Sequence, residues 1–390
     1  MTTGLEKKKY WVVVGTRPEV IKQAPVYFEL VDRFGVENVA LIGTGQHKEL
    51  LNQALSHFDL KLDLNLEIMQ PNQTLAASSS AVLQKMNELF QTSRPEWLVV
   101  QGDTTSAAMA AWAAFLSEVK VAHNEAGLRS YDLVNPFPEE ANRRLISVIA
   151  DVHFAPTRLA QEALLREGVS RDKIVVTGNT GIDSLHWTLL QTCPTRVSGW
   201  LERFKASGQK PVLVTAHRRE NKRKMDQWFS ALARFTTENR EFSLVFPFHP
   251  NHTALAYAEK YLGDSDRAMI MPAIGYDETC HLLNACAFVV TDSGGIQEEA
   301  ASLGIPVVVC RETTERMEAV EAGLAKLAGT DPDPVIQAMD WAAMMSRLSP
   351  GRSTNSIFGD GHAAMRVVNA LDRRIMVRES GLAQEALKAA

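Results

Sequence analysis

The sequence predicts an α/β protein of two Rossmann-like domains, and three observations predict it. The chain is 390 residues long, well beyond the roughly 150 residues of one ordinary domain. Short apolar runs rich in Val and Ile alternate with helix-like stretches, as in repeated βα units. Polar residues collect just after those runs, where parallel sheets bind ligands. The expected domains are 1–182 with 366–390, and 183–365.

The first series of strands is WVVVG (11–15), NVALIGT (38–44), WLVVQGD (97–103), KVAHNEAG (120–127), DVHFAP (151–156) and KIVVTGN (173–179). Each is almost continuously apolar over four or five residues, which suits a parallel strand covered on both faces. Helices are predicted between them, for example over 18–34 and 105–116. The second series is PVLVTAH (211–217), FSLVFPFH (242–249), RAMIMPAI (267–274), AFVVTDSG (287–294), PVVVC (306–310) and a weak AKLAG (325–329). Residues 184–210 read as the junction, and the Ala- and Arg-rich tail from about 363 to 390 as helical. Two such domains facing each other would bring the polar strand ends into one central cleft.

Composition narrows the function. Hydrophobic residues make up 45% and charged residues 22%, ordinary for a globular protein and wrong for a disordered, collagenous or disulfide-stapled one. The net charge of −5 gives no overall basic footprint for nucleic acid. Cys193, Cys280, Cys286 and Cys310 form no C-x-x-C pair and no zinc spacing, so they read as incidental thiols in a reducing compartment, with no metal site expected. The apolar run after the basic N-terminus is WVVV, shorter than a signal peptide's core of roughly 7–15 residues. No run approaches the ~18 needed to cross a membrane. The cytoplasm is the expected location.

Several strand ends carry chemistry. TDSGGIQEE (291–299) can expose the backbone N–H groups of Ser293, Gly294 and Gly295 at a helix N-terminus, which suits a phosphate, with Glu298 or Glu299 one turn on for a ribose diol. Dinucleotide and P-loop readings are disfavoured, because neither G-x-G-x-x-G nor G-x-x-x-x-G-K-[ST] occurs. In GTRPEVIK, Arg17 ends the first strand, Pro18 suits a first helical turn, and Lys22 follows about one and a half turns on. An Arg there can grip a diphosphate. Asp103 in QGDTT is either a strand-end acid or an N-cap. Glu125 in HNEAGLRS is a carboxylate where a core residue is not expected. Glu139 and Arg143, four apart in NPFPEEANRR after Pro138, share a helix face and are expected to pair. His217, Arg218 and Arg219 make TAHRREN a cationic strand end fit for a general acid or a phosphate clamp, and His249 is of the same kind.

Taken together these strings resemble the non-hydrolysing UDP-N-acetylglucosamine 2-epimerases. GTRPEVIK, TGQHKELL, QGDTT, HNEAGLRS, PFPEEANRR, TGNTGIDSL, TAHRREN, TDSGGIQEEA, RETTER and FGDG match in order from residue 15 to 361. The resemblance implies a glycosyltransferase B-type fold. It also implies reversible conversion of UDP-GlcNAc to UDP-ManNAc with no cofactor, by elimination of UDP to 2-acetamidoglucal and re-addition. It assigns acid/base and related roles to Asp103, Glu125, Glu139, Arg143 and His217. It gives UDP binding to Arg17, Lys22, Ser293, Gly294 and Glu299, to which the strand-end reading adds His249 and Gly295, and an activating second UDP-GlcNAc to Gln46, His47 and Gln73. The implied partners are a UDP-sugar and a second copy of the chain, with no nucleic acid or membrane. The sequence departs from the family pattern at Met317, in NSIFGDG (355–361) and in KRKMD after HRREN. Competing readings are a 2-epimerase of a related UDP-2-acetamido sugar, a hydrolysing epimerase that releases ManNAc and UDP, a glycosyltransferase of the same fold, and a non-catalytic sugar-nucleotide sensor.

Overall fold

A computed structural model describes residues 4–45, 48–70, 73–216, 224–248, 253–348 and 356–373. The chain divides into two compact units, Met1–Ser184 with Gly359–Ala390, and Leu185–Phe358. The sequence expectation set these divisions at 182/183 and 365/366. Asp183 accounts for the difference at its own position. Its carboxylate accepts the N–H groups of Ala363 (3.2 Å) and Ala364 (2.8 Å), and so caps the helix over 363–373 from within the first unit.

The first unit holds a seven-stranded parallel sheet. Its strands are β1 (Tyr10–Val14), β2 (Val39–Gly43), β3 (Leu64–Asn65), β4 (Trp97–Gln101), β5 (Lys120–Asn124), β6 (Val152–Ala155) and β7 (Ile174–Val176), in the order β3-β2-β1-β4-β5-β6-β7. β1, β2 and β4 are buried along their whole length, as their unbroken apolar runs require. β3, half-buried and two residues long at the sheet edge, was not expected, because it has no apolar run to announce it. The helix Thr105–Leu116 is buried on nearly every side through Ala107, Ala108, Ala110, Ala111, Ala113 and Ala114. These small side chains let the helices Leu75–Thr92 and Glu139–Ile149 pack closely against it.

The helix Arg17–Phe34 runs through Pro25. Proline has no N–H, so the Ile21 carbonyl loses its helical partner. The buried hydroxyl of Ser184 donates to that carbonyl instead, a tertiary repair that keeps the helix continuous.

The second unit holds a six-stranded parallel sheet of β8 (Lys210–Thr215), β9 (Phe242–Phe248), β10 (Ala268–Pro272), β11 (Phe288–Thr291), β12 (Val307–Val309) and β13 (Ala325–Leu327). Its order is β10-β9-β8-β11-β12-β13. Its core is aromatic. Phe235, Phe242 and Phe288 meet with ring centroids 5.3–5.8 Å apart, beside Trp228, Phe229 and Phe246. In each sheet the strand order reverses once, between β1 and β4 and between β8 and β11. These Rossmann switch points are where such sheets bind ligands. Among the described residues no helix is long and apolar enough to cross a membrane.

Candidate functional site

At the first switch point the loop after β1 leads into the helix that starts at Arg17, which is half-buried, with Pro18 in its first turn. Glu19 folds back to cap this helix. Its Oε2 accepts the Gly15 N–H at 2.9 Å and the Thr16 hydroxyl at 2.8 Å, and its Oε1 accepts the Thr104 hydroxyl at 2.7 Å. One buried carboxylate thus ties the β1 loop to the β4 loop, and burial pushes its pKa up against these hydrogen bonds. The sequence reading missed this residue, although an acid three residues after a Thr N-cap is a helix-start signal.

In the β4 loop the N-cap is Thr104, whose hydroxyl oxygen accepts the Ala107 N–H at 3.0 Å. The capping explanation of Asp103 therefore falls away. Asp103 is instead paired with Arg143, and Asn142 holds its carbonyl at 2.9 Å. The expected pair of Glu139 with Arg143 does not form. Arg143 pairs with Glu140, at 3.2 Å, besides Asp103. The reason is burial. Glu140 is fully buried and also accepts the Ser130 N–H at 2.9 Å, whereas Glu139 is half-buried at the helix start. Among the described residues Glu139 makes no side-chain hydrogen bond or ion pair, so it sits in the first helical turn with its carboxylate uncommitted.

Glu125 follows β5 with a left-handed backbone (φ 60°), a conformation that costs a non-glycine residue about 1–2 kcal/mol. Its carboxylate accepts from Lys22 and Gln101, and from Asn179 at 3.4 Å. Lys22, expected at UDP, is thus engaged with a carboxylate in this structure. Gly102, also left-handed (φ 65°), leaves open the space beside Glu125, where a Cβ would stand 3.2 Å from Oε2. Beneath these loops His123 reaches the Gly102 carbonyl at 2.7 Å. Burial pushes this imidazole down to about 4, with Arg129 and Arg143 helping and the Gly102 carbonyl and Asp103 opposing. Gln101 and Asn179 were also missed. The available signal was a polar residue closing an otherwise apolar strand.

In the second unit Ser293 is the N-cap of the helix Gly294–Ser302. Its own N–H is taken by the Thr291 hydroxyl at 2.9 Å, while the N–H groups of the first turn lack intrahelical partners and point outward. A Cβ on Gly294 would come within 2.7 Å of the Arg316 guanidinium; on Gly295 it would meet nothing. Arg316 is buried and held by Glu298 at 2.9 Å and Glu315 at 3.1 Å. Burial would raise the Glu315 carboxyl, but Arg316 and Arg311 outweigh it and hold it near 2. Glu298 is therefore committed to Arg316. Glu299 is the half-buried acid, accepting from the Tyr276 hydroxyl at 3.3 Å.

His217, His249, Gln46 and His47 lie outside the described residues. Gln73 is described, and its side-chain oxygen accepts the Gln70 N–H at 3.2 Å. Among the described residues no group of three or more His, Cys, Asp or Glu could hold a metal ion.

Paired Rossmann-like domains, one with carboxylates at its switch point and one with an anion-ready helix start, define the class of nucleotide-handling α/β proteins. Within it, the chain belongs to the UDP-N-acetylglucosamine 2-epimerase family, whose model matches residues 33–372. It is 40% identical over 369 residues to the UDP-N-acetylglucosamine 2-epimerase of Bacillus subtilis, covering 94% of this chain and 96% of that one. The UDP-GlcNAc 2-epimerase of Neisseria meningitidis, solved bound to UDP-GlcNAc, superposes with a TM-score of 0.85 at 36% identity, covering 93% of this chain and 99% of that one. S. aureus MnaA, solved with UDP, gives a TM-score of 0.85 at 38% identity over 94% and 97% of the two chains.

Proposed function

We propose that this protein interconverts UDP-GlcNAc and UDP-ManNAc by the non-hydrolysing route. A carboxylate of the first unit takes the C2 proton. The C–H electron pair becomes the C1=C2 bond of 2-acetamidoglucal, and the C1–O pair leaves with UDP. UDP then adds back to C1 while C2 receives a proton on the opposite face. No electrons are gained or lost overall.

The observation that carries this reading is Glu125. Its strained backbone and its Lys22, Gln101 and Asn179 donors fix a carboxylate against Gly102, the residue before the Asp103 that pairs with Arg143. Asp103 and the uncommitted Glu139 are the further proton carriers. The C2 proton is weakly acidic until the C1–O bond begins to break, so charge developing on UDP must be neutralised in the same step. Arg17 and the N–H groups of Gly294 and Gly295 serve that purpose, with Glu299 on the ribose. Lys22 serves Glu125 in this reading.

The test is incubation with UDP-GlcNAc in D2O, followed by NMR and mass spectrometry. The expected outcome is a UDP-HexNAc mixture carrying deuterium at C2, without added acceptor. UDP and free ManNAc as sole products would place the chain in the hydrolysing class. No exchange with any UDP-HexNAc would end the epimerase reading.

A further inference from the structure

We infer that Gln101 is a positioning residue that fixes which oxygen of Glu125 exchanges the proton at C2 of the sugar; this rests on the reading just given. Gln101 closes β4, Asn124 closes β5 and Thr180 opens the helix Thr180–Leu189. All are at most 2% exposed. Gln101 Nε2 donates to Glu125 Oε2. Asn124 Nδ2 donates to Gln101 Oε1 at 2.8 Å and to Thr180 Oγ1 at 3.0 Å.

The polarity of this chain is forced. A proton-accepting carboxylate offers its neighbours only lone pairs, so Gln101 must turn its NH2 toward Glu125. Its oxygen then faces Asn124, which must answer with its own NH2, and Thr180 ends the chain as acceptor. Asn179 is fixed in the same way. Its Oδ1 accepts the Gly181 N–H at 2.8 Å, which leaves its NH2 on Glu125 Oε1.

Glu125 Oε1 therefore receives both Lys22 and Asn179, and its lone pairs are engaged. Oε2 receives Gln101 and keeps one lone pair. The missing side chain of Gly102 leaves space beside that same oxygen. Oε2 is thus where a proton is taken up and returned, and Gln101 keeps it turned that way.

The experiment follows C2 deuterium exchange against pH in wild type, Gln101→Met and Gln101→Glu, with UDP affinity and melting measured alongside. Gln101→Met removes the donor. It should bind UDP within about twofold of wild type and change KM little, yet lose about 100-fold in exchange, the scale set by misplacing a reacting group by an ångström. Gln101→Glu is isosteric and sets a second carboxylate against Glu125. It should be as slow at pH 8 and recover as the pH falls and the two acids share a proton, a rescue that a merely structural role would not produce. Met-variant exchange within fivefold of wild type, or a Glu-variant pH profile parallel to wild type, overturns the inference. Absence of exchange in the wild type overturns the underlying reading instead.

Discussion

Adjacent glutamates at 139 and 140 are told apart by burial. Either could reach Arg143 on a helix, through i,i+4 or i,i+3 spacing, and the sequence offers no means of choosing. The fold chooses Glu140, which is fully buried and holds Arg143 together with the N–H groups of Ser130 and Tyr131. Glu139 keeps its carboxylate for other work. Glu139→Gln should therefore melt within a few degrees of wild type and bind UDP normally, while losing at least about 100-fold in turnover and C2 exchange, as expected for a lost acid/base group. Glu140→Gln leaves buried Arg143 without part of its countercharge and should cost on the order of 3 kcal/mol in denaturant unfolding. Equal melting of the two variants would show that burial is not what separates them. Gln101 and Glu19 carry local signals, a polar strand end and an acid three residues after a Thr N-cap, but these do not say why the residues matter. Their importance lies in partners on other strands and loops, at sequence separations of 24 and 85 residues, which no local pattern records.

At the scale of elements the sequence was far more legible. Strands buried on both faces must be apolar throughout, so β1, β2 and β4 stand out, whereas the edge strand β3 needs no such run. The start of the helix Gly294–Ser302 was legible too, but not why it carries two glycines. Gly294 has no side chain because the Arg316 guanidinium occupies that space; Gly295 faces open space. The first glycine serves packing, and the second leaves the backbone open, as the proposed phosphate site requires. Gly294→Ala must displace an Arg held by Glu298 and Glu315 and should cost about 1–3 kcal/mol in unfolding experiments. Gly295→Ala should melt like wild type and still lose UDP affinity, by about tenfold in calorimetry. Wild-type melting of Gly294→Ala would mean that Arg316 yields easily and packs the turn only loosely. Undiminished UDP affinity in Gly295→Ala would remove that position from the phosphate site.

For the molecule as a whole, two buried groups in the first unit give stability opposite dependences on pH. Burial, aided by Arg129 and Arg143, takes His123 down to about 4, against an ordinary value of about 6.5. The unfolded chain then binds the proton more readily, so stability is lost as pH falls from about 6.5 toward 4, by about 3 kcal/mol in all. Burial takes Asp183 up to about 6, against the N–H groups of Ala364 and Ala363 that favour its charge. Here the folded chain binds the proton more readily, and stability is lost as pH rises from about 4 toward 6, by a similar amount. Glu19, also raised by burial, acts in the same sense as Asp183. Glu315 and Asp360, both held near 2, enter only at more acidic pH. Between pH 4.5 and 6 His123 opposes Asp183 and Glu19, which makes the wild-type stability curve flatter than that of a chain without His123. Each single variant should unmask the other group. Asp183→Asn should lose about 2 kcal/mol more than wild type on going from pH 6 to 4.5, at 1.36 kcal/mol per proton and pH unit. His123→Gln, whose amide can keep the bond to the Gly102 carbonyl, should gain about 2 kcal/mol over the same range. Denaturant unfolding of the first unit at a series of pH values reads both slopes. If Asp183→Asn runs parallel to wild type, the Asp183 carboxyl is not raised in the folded state and does not oppose His123.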